Sequence, residues 1–283
     1  MTNPHTSLWR ISVSKDRSVA AQDTVPAILV GDGVKPRLSG DTTFYVASRA
    51  GRQGIWKLTH GDARELWSSA HGPIVGGPAI APDGRRVAVT VSDEGKTRLY
   101  VVDNDTGHAK VVTSEFVLRG NLVWTPDGQA LIAAVVRDGE PRLTRIALNG
   151  DSPLVLVSEY SVDPVWSPDG RFLVFSGADV GTSFPLRSVA PDGRPYPLPS
   201  LMLARGSRVA FLADAQTLVI LRREHGRLTF WAADLRSGAQ RILTQLPANF
   251  VARDFAISAN GDEIVFDRIE ENPEIALIER GSR

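Results

Sequence analysis

The chain has 283 residues, 42% of them hydrophobic and 23% charged, with equal numbers of basic and acidic side chains and no cysteine. Zero net charge gives no electrostatic case for nucleic acid or an anionic membrane surface. The missing thiols exclude disulfides, a thiolate nucleophile and thiolate metal sites. No stretch approaches the roughly 20 apolar residues of a membrane-spanning helix. In chain order, Leu8-Trp-Arg-Ile-Ser-Val13 and Arg17-Ser-Val-Ala-Ala-Gln22 read as two short strands. They precede a repeated unit of strand A, tight turn, strand B, strand C, second turn and strand D.

The turn between A and B carries the signal. Ala81-Pro82-Asp83-Gly84, Thr125-Pro126-Asp127-Gly128 and Ser167-Pro168-Asp169-Gly170 recur at spacings of 44 and 42 residues, each followed by a hydrophobic strand. Proline fixes φ at the second turn position, and Asp then Gly complete the reversal. Degraded copies begin at Ser39, Ala213 and Ser258, which makes six units in all. Strand C carries Trp56, Tyr100 or Trp231, and the second turn is clearest in Asp103–Gly107 and Asp234–Gly238. Six units of four short strands predict an all-β fold, a six-bladed β-propeller of four-stranded antiparallel blades. The repeats fall at about 33–74, 75–116, 117–160, 161–202, 203–247 and 248–283, the last completed by residues 7–25, all within one domain (1–283). An N-terminal strand closing the last blade removes two exposed sheet edges. The alternative is that residues 1–25 are the tail of a preceding blade in a longer protein. The last unit offers Glu274-Ile-Ala-Leu-Ile278 as a further strand.

The pattern best seen in Pro164-Val-Trp-Ser-Pro-Asp-Gly-Arg-Phe-Leu-Val-Phe175 resembles the WD40-like repeat of TolB-type propellers, over about residues 7–280. That family's namesake is a periplasmic partner protein of the Tol–Pal system, and related propellers are sensor domains, scaffolds or gating domains of peptidases. The resemblance implies a bacterial, extracytoplasmic binding or scaffold module with a protein or peptide partner, most simply monomeric. No TolB-like N-terminal α/β domain is visible in the sequence. The first ten residues lack a basic region followed by an apolar one, which predicts a cytoplasmic chain if Met1 is the native start.

Catalytic constellations are sparse. His60 and His108 fall in C–D turns and His225 in a B–C loop, with no helical metal-binding spacing. No Gly-x-Ser-x-Gly elbow occurs. Asp83, Asp127 and Asp169 read as caps of their own turns, and Trp124 and Trp166 as packing between blades. No metal site, cofactor or catalytic residue is expected. The alternative is a propeller lyase or hydrolase acting on a carbohydrate at the channel mouth. Binding groups are expected where the blades converge, four residues before each turn. That register holds Lys35, Gly77, Asn121, Asp163, Val209 and Asp254, with Arg208 and Arg253 one residue earlier. Lys35, Asn121, Asp163, Arg208, Arg253 and Asp254 are therefore the candidate site, and their mixed sign favours a peptide or protein segment over a polyanion.

Overall fold

A computed structural model of the chain describes residues 5–13, 26–248 and 250–270. Its strands are β1 (His5–Ser12), β2 (Ala27–Val30), β3 (Val34–Ser39), β4 (Thr42–Arg49), β5 (Arg52–Thr59) and β6 (Asp62–Ser68). The second blade runs through β7 (Ala79–Ile80), β8 (Arg86–Asp93), β9 (Lys96–Asp103) and β10 (Ala109–Thr113). The third has β11 (Leu118–Trp124), β12 (Ala130–Arg137), β13 (Glu140–Ala147) and β14 (Leu154–Val155). The fourth has β15 (Val162–Trp166), β16 (Leu173–Ser176), β17 (Ser183–Val189) and β18 (Leu201–Ala204). After β19 (Arg208–Phe211), β20 (Thr217–Glu224), β21 (Arg227–Asp234) and β22 (Gln240–Gln245) come β23 (Phe255–Ile257) and β24 (Glu263–Glu270).

These strands form six antiparallel sheets of four, a six-bladed propeller. Five sheets are consecutive in sequence. The sixth has the order β2-β1-β24-β23, so the last blade takes two strands from each end of the chain. β1 pairs with β24 along its whole length, from His5 opposite Glu270 to Ser12 opposite Glu263. The N-terminal contribution reaches further than residue 25: the outermost strand is Ala27–Val30, paired to Leu8–Arg10. The strand expected at 17–22, and the one at 274–278, lie outside the described residues.

Innermost strands touch in sequence around the axis, and β23 touches β3, which closes the ring. Each pair of neighbouring blades encloses its own apolar wedge, because the strands alternate little and bury both faces. Phe44, Val46, Val87, Val89 and Tyr100 fill the wedge between blades one and two. Leu99, Leu122, Trp124 and Leu131 fill the next. The seam between blades six and one holds only Leu8, Tyr45, Ala47 and Leu58 as fully buried members, the smallest of the six wedges among the described residues.

The B–C hairpins explain the regular blade height. Ala50-Gly51, Glu94-Gly95, Asp138-Gly139 and His225-Gly226 each place two successive residues at positive φ, between 45° and 84°. That is the two-residue turn whose twist matches paired strands. At the other end, each turn aspartate caps its own reversal. Asp83 accepts the Arg85 N–H at 2.9 Å, Asp127 the Gln129 N–H at 3.0 Å and Asp169 the Arg171 N–H at 3.1 Å. Trp124 is buried and donates Nε1–H to Ala79 O in the preceding blade, with Arg86 over its ring at 4.7 Å. Trp56 and Trp231 are half-buried, and Tyr100 is buried in an inter-blade wedge.

In the fifth blade the register differs by one residue from the sequence-based alignment. The hydrogen bond that opens each turn runs from Ala81, Thr125, Ser167 and Ser258 in the other blades, and here it runs from Leu212 to Thr217 O. Asp214 then takes the capping position, accepting the Gln216 and Thr217 N–H groups. Ala215 sits at φ 54° where the other turns have glycine. With Pro and Gly both replaced, the tetrapeptide loses the two residues that mark its frame. The corrected frame moves Arg208, not Val209, into the register of Asn121, Asp163 and Asp254.

Candidate axial site

Five of the six innermost strands or their entry loops now present a polar side chain at one level: Lys35, Asn121, Asp163, Arg208 and Asp254, with Gly77 at that level in blade two. The structure links them through a residue the sequence reading passed over. Arg37 donates Nη1–H to Asp254 Oδ2 at 3.0 Å and Nη2–H to Asn121 Oδ1 at 3.3 Å. Asn121 donates its backbone N–H to Asp163 Oδ1 at 2.9 Å, and Arg208 donates Nη1–H to Asp163 Oδ2 at 3.2 Å. The Gly77 N–H of blade two joins them by donating to Asn121 Oδ1 at 3.1 Å. A hydrogen-bonded belt thus runs from blade six through blades one, two, three and four to blade five.

Glycine at two points makes the belt possible. A Cβ at Gly77 would lie 2.7 Å from Arg37 Nη2, and one at Gly120, where φ is 67°, would lie 2.5 Å from Asp163 Oδ1. Two belt residues also adopt the left-handed region, Lys35 at φ 56° and Asp163 at 52°. Each precedes a proline, which disfavours the right-handed helical alternative. Such backbone costs about 1–3 kcal/mol and persists where surrounding contacts over-determine it.

Two cavities flank the belt. One of about 220 Å³ lies along the innermost strands, with Val123, Val165, Phe211 and Ala256 beside the belt residues. The other, about 310 Å³, opens on the face of the B–C hairpins, with Val34, Val75 and Ile269 as apolar wall and Lys35, Arg253, Asp254 and Asp267 among its polar groups. Lys35 donates Nζ–H to Ile74 O and Val75 O at 3.1 and 2.7 Å. Burial lowers its pKa, an effect that Asp254 opposes. Asp267 is 2% exposed, and burial, then the neighbouring Asp254 charge, push its carboxyl up. Arg253 is exposed, and its guanidinium makes no hydrogen bond or ion pair among the described residues.

All six sequence-derived candidates line the mouth or the belt, and Arg37 and Asp267 join them. Arg37 stands in a register otherwise held by Ala79, Val123, Val165, Ala210 and Ala256, and Asp267 in one held by Val46, Thr90, Ala134, Ser176 and Leu221. One charge in a column of apolar or small residues was the available signal. The histidines do not converge here: His60 is an exposed turn residue near Asp41. Among the described residues no cluster of three or more histidines and carboxylates is placed to hold a metal.

The class defined by this fold and belt is a propeller with a polar axial mouth. The TolB beta propeller domain family matches residues 34–196, more than half of the chain, and the chain belongs to that family. It is 28% identical over 162 residues to the Tol-Pal system protein TolB of Anaeromyxobacter dehalogenans, a match covering 55% of this chain and 37% of that protein. The chain therefore spans little more than a third of the curated relative. The solved structure of a putative TolB from Agrobacterium tumefaciens superposes with a TM-score of 0.67 at 17% identity, covering 96% of this chain and 100% of that one. An oligogalacturonate lyase in complex with manganese superposes with a TM-score of 0.56 at 18% identity, covering 92% of this chain and 78% of that one. At such identities both structures report the fold alone.

Proposed function

We propose that this propeller is a non-catalytic binding module of the bacterial cell envelope that captures a protein or peptide segment at its axial mouth. The observation that carries the reading is the belt itself. Its aspartates are already engaged by Arg37 and Arg208, while the Arg253 guanidinium stands exposed beside an apolar-walled cavity of about 310 Å³. A segment bearing carboxylates and small apolar side chains complements that mouth, since arginine pairs with carboxylates in bidentate fashion. Membership of the TolB propeller family, and a relative named for the Tol–Pal system, support an extracytoplasmic place and a protein partner. The domain acts as a single copy in this reading.

The test is a screen of fluorescein-labelled acidic and amphoteric peptides by anisotropy, repeated with Arg253→Ala. Loss of one charge-assisted contact, worth about 1.5–3 kcal/mol, corresponds to at least about tenfold weaker capture. The Arg253 guanidinium holds no partner among the described residues, so the melting temperature should stay within about 1 °C of the parent. Capture undiminished in Arg253→Ala would move the site away from the axis.

A further inference from the structure

Blade six is the one sheet assembled from both ends of the chain, its β24 held to β1 by hydrogen bonds rather than by a hairpin, and its β23–β24 half meets blade one where the ring closes. The apolar wedge at that seam is the smallest of the six among the described residues. At the axial end of that seam, on β24, lies Asp267. Its Oδ1 accepts the backbone N–H groups of Arg253 at 2.7 Å and Asp254 at 2.9 Å, and its Oδ2 accepts that of Lys35 at 3.3 Å. Arg253 and Asp254 belong to blade six, and Lys35 to blade one. One carboxylate therefore spans the seam and sets the backbone from which three mouth side chains project.

The fold itself does not demand an acid at this position. The equivalent residues of the other blades are Val46, Thr90, Ala134, Ser176 and Leu221. Thr90 does a smaller version of the same work, accepting the Gly76 N–H on its hydroxyl at 3.3 Å. Only at the seam is the acceptor a carboxylate.

We propose that Asp267 is a positioning residue of the axial mouth, a proton-sensitive clasp whose Oδ2 holds Lys35 of blade one and releases it on taking up a proton. A proton on Oδ2 turns that atom from acceptor into donor and displaces the Lys35 N–H, the longest of the three bonds the carboxylate accepts. Oδ1 keeps its two blade-six donors. Asp254 is the neighbouring carboxylate whose charge bears on Asp267. Lys35 and Arg37 on β3 and Arg208 on β19 complete the charged surroundings: Lys35 is drawn by Asp254 and Asp267, Arg37 pairs with Asp254, and Arg208 pairs with Asp163. On β1 the residue opposite is Leu8, and on β24 the adjacent Arg268 turns away, over Trp9 and Phe250.

Burial and Asp254 raise the Asp267 carboxyl above the ordinary range. The folded chain thus binds this proton at a higher pH than the unfolded chain does. The group's contribution to stability rises as the pH falls through its folded value, and levels off below the ordinary carboxylate value of about 4. Acidification therefore loosens the Lys35 contact without Asp267 destabilising the fold, which separates clasp release from unfolding.

The effect on capture rests on the axial reading above, but the clasp does not. The experiment follows the Lys35 amide by hydrogen exchange, corrected for intrinsic rates, between about pH 4 and about pH 9, alongside the Asp267 carboxyl carbon by NMR. The expected result is one midpoint for both, above the ordinary carboxylate range, with Lys35 protection falling at least about tenfold below it. In Asp267→Asn the Lys35 protection should stay low and independent of pH, while the Arg253 and Asp254 amides remain protected. Unchanged Lys35 protection through the Asp267 titration would overturn the proposal, as would an ordinary carboxylate midpoint. The parent protein alone decides both points if the variant does not fold. Peptides that fail to bind at any pH would instead sink the capture reading and leave the exchange result standing.

Discussion

Replacing Arg37 with Met removes the belt's central charge while keeping most of its length. Arg37 and Asp254 are 23% and 11% exposed, and the pair lies at 3.0 Å. Exposed pairs contribute about 0–1 kcal/mol, whereas breaking a buried one costs about 3–5 kcal/mol because the remaining charge is stranded. Asp254 keeps little access to water. Asn121 retains the Gly77 N–H as a donor, so its loss is small. A cost of about 2 kcal/mol follows, which for a chain of this size lowers the melting temperature by about 4 °C. Scanning calorimetry measures the shift. A double-mutant cycle with Asp254→Asn isolates the pair, and its coupling should reach about 1–2 kcal/mol. The shift should change little with added salt, since partly buried pairs are weakly screened. A change below about 1 °C, or a coupling of about 0.3 kcal/mol or less, would show that the belt is decoration on an axis held by the apolar wedges alone.

Gly120→Ala should destabilise by about 1–3 kcal/mol, since it combines positive φ with a Cβ 2.5 Å from Asp163 Oδ1, and thermal unfolding would register it. Ala215→Gly should raise stability by about 0.5 kcal/mol, because φ 54° costs alanine more than glycine's extra freedom in the unfolded chain. An unchanged or lower denaturant midpoint would count against the corrected register. Asp83 and Asp127 are held below the ordinary carboxylate range, the first chiefly by the Arg85 N–H and the second by the Thr125 hydroxyl. Their stabilisation is present above the unfolded-state value and is lost as the pH falls through their folded values, so the melting temperature should drop between about pH 4 and about pH 2. Asp127→Asn should blunt that drop.

Blade number and closure were readable because they rest on local chemistry. A Pro-Asp-Gly turn followed by a hydrophobic run announces its frame within a dozen residues, and β1 reads as a strand from Leu8–Val13 alone. The fifth blade shows where this stops. Without proline and glycine at Ala213 and Ala215, frame information passed to Asp214, whose capping of Thr217 is visible only in three dimensions. The outermost strand at Ala27–Val30 escaped for a similar reason: a four-residue run has no periodicity to distinguish it from a loop. At the axis, the register placed six candidates that line one cavity. Arg37 and Asp267 were missed because each sits inside a strand that reads as buried, and only the convergence of blades supplies the partners that let a charge remain there.

The composite sixth blade also sets the order of events as the chain is made. Leu8 pairs with Asp267, 259 positions later in the sequence. At typical synthesis rates that separation is roughly ten to fifty seconds, during which β1 has no β24 to pair with. The five sequential blades can form as each hairpin emerges, since their contacts are local, whereas the last depends on the longest-range strand pairing among the described residues. Until then both β1 and the flank of blade one present open strand edges, the surface on which chains cross-pair with one another. The ring's weakest period is therefore its synthesis rather than its service, and a holding partner acting on the nascent β1 would have the most to protect.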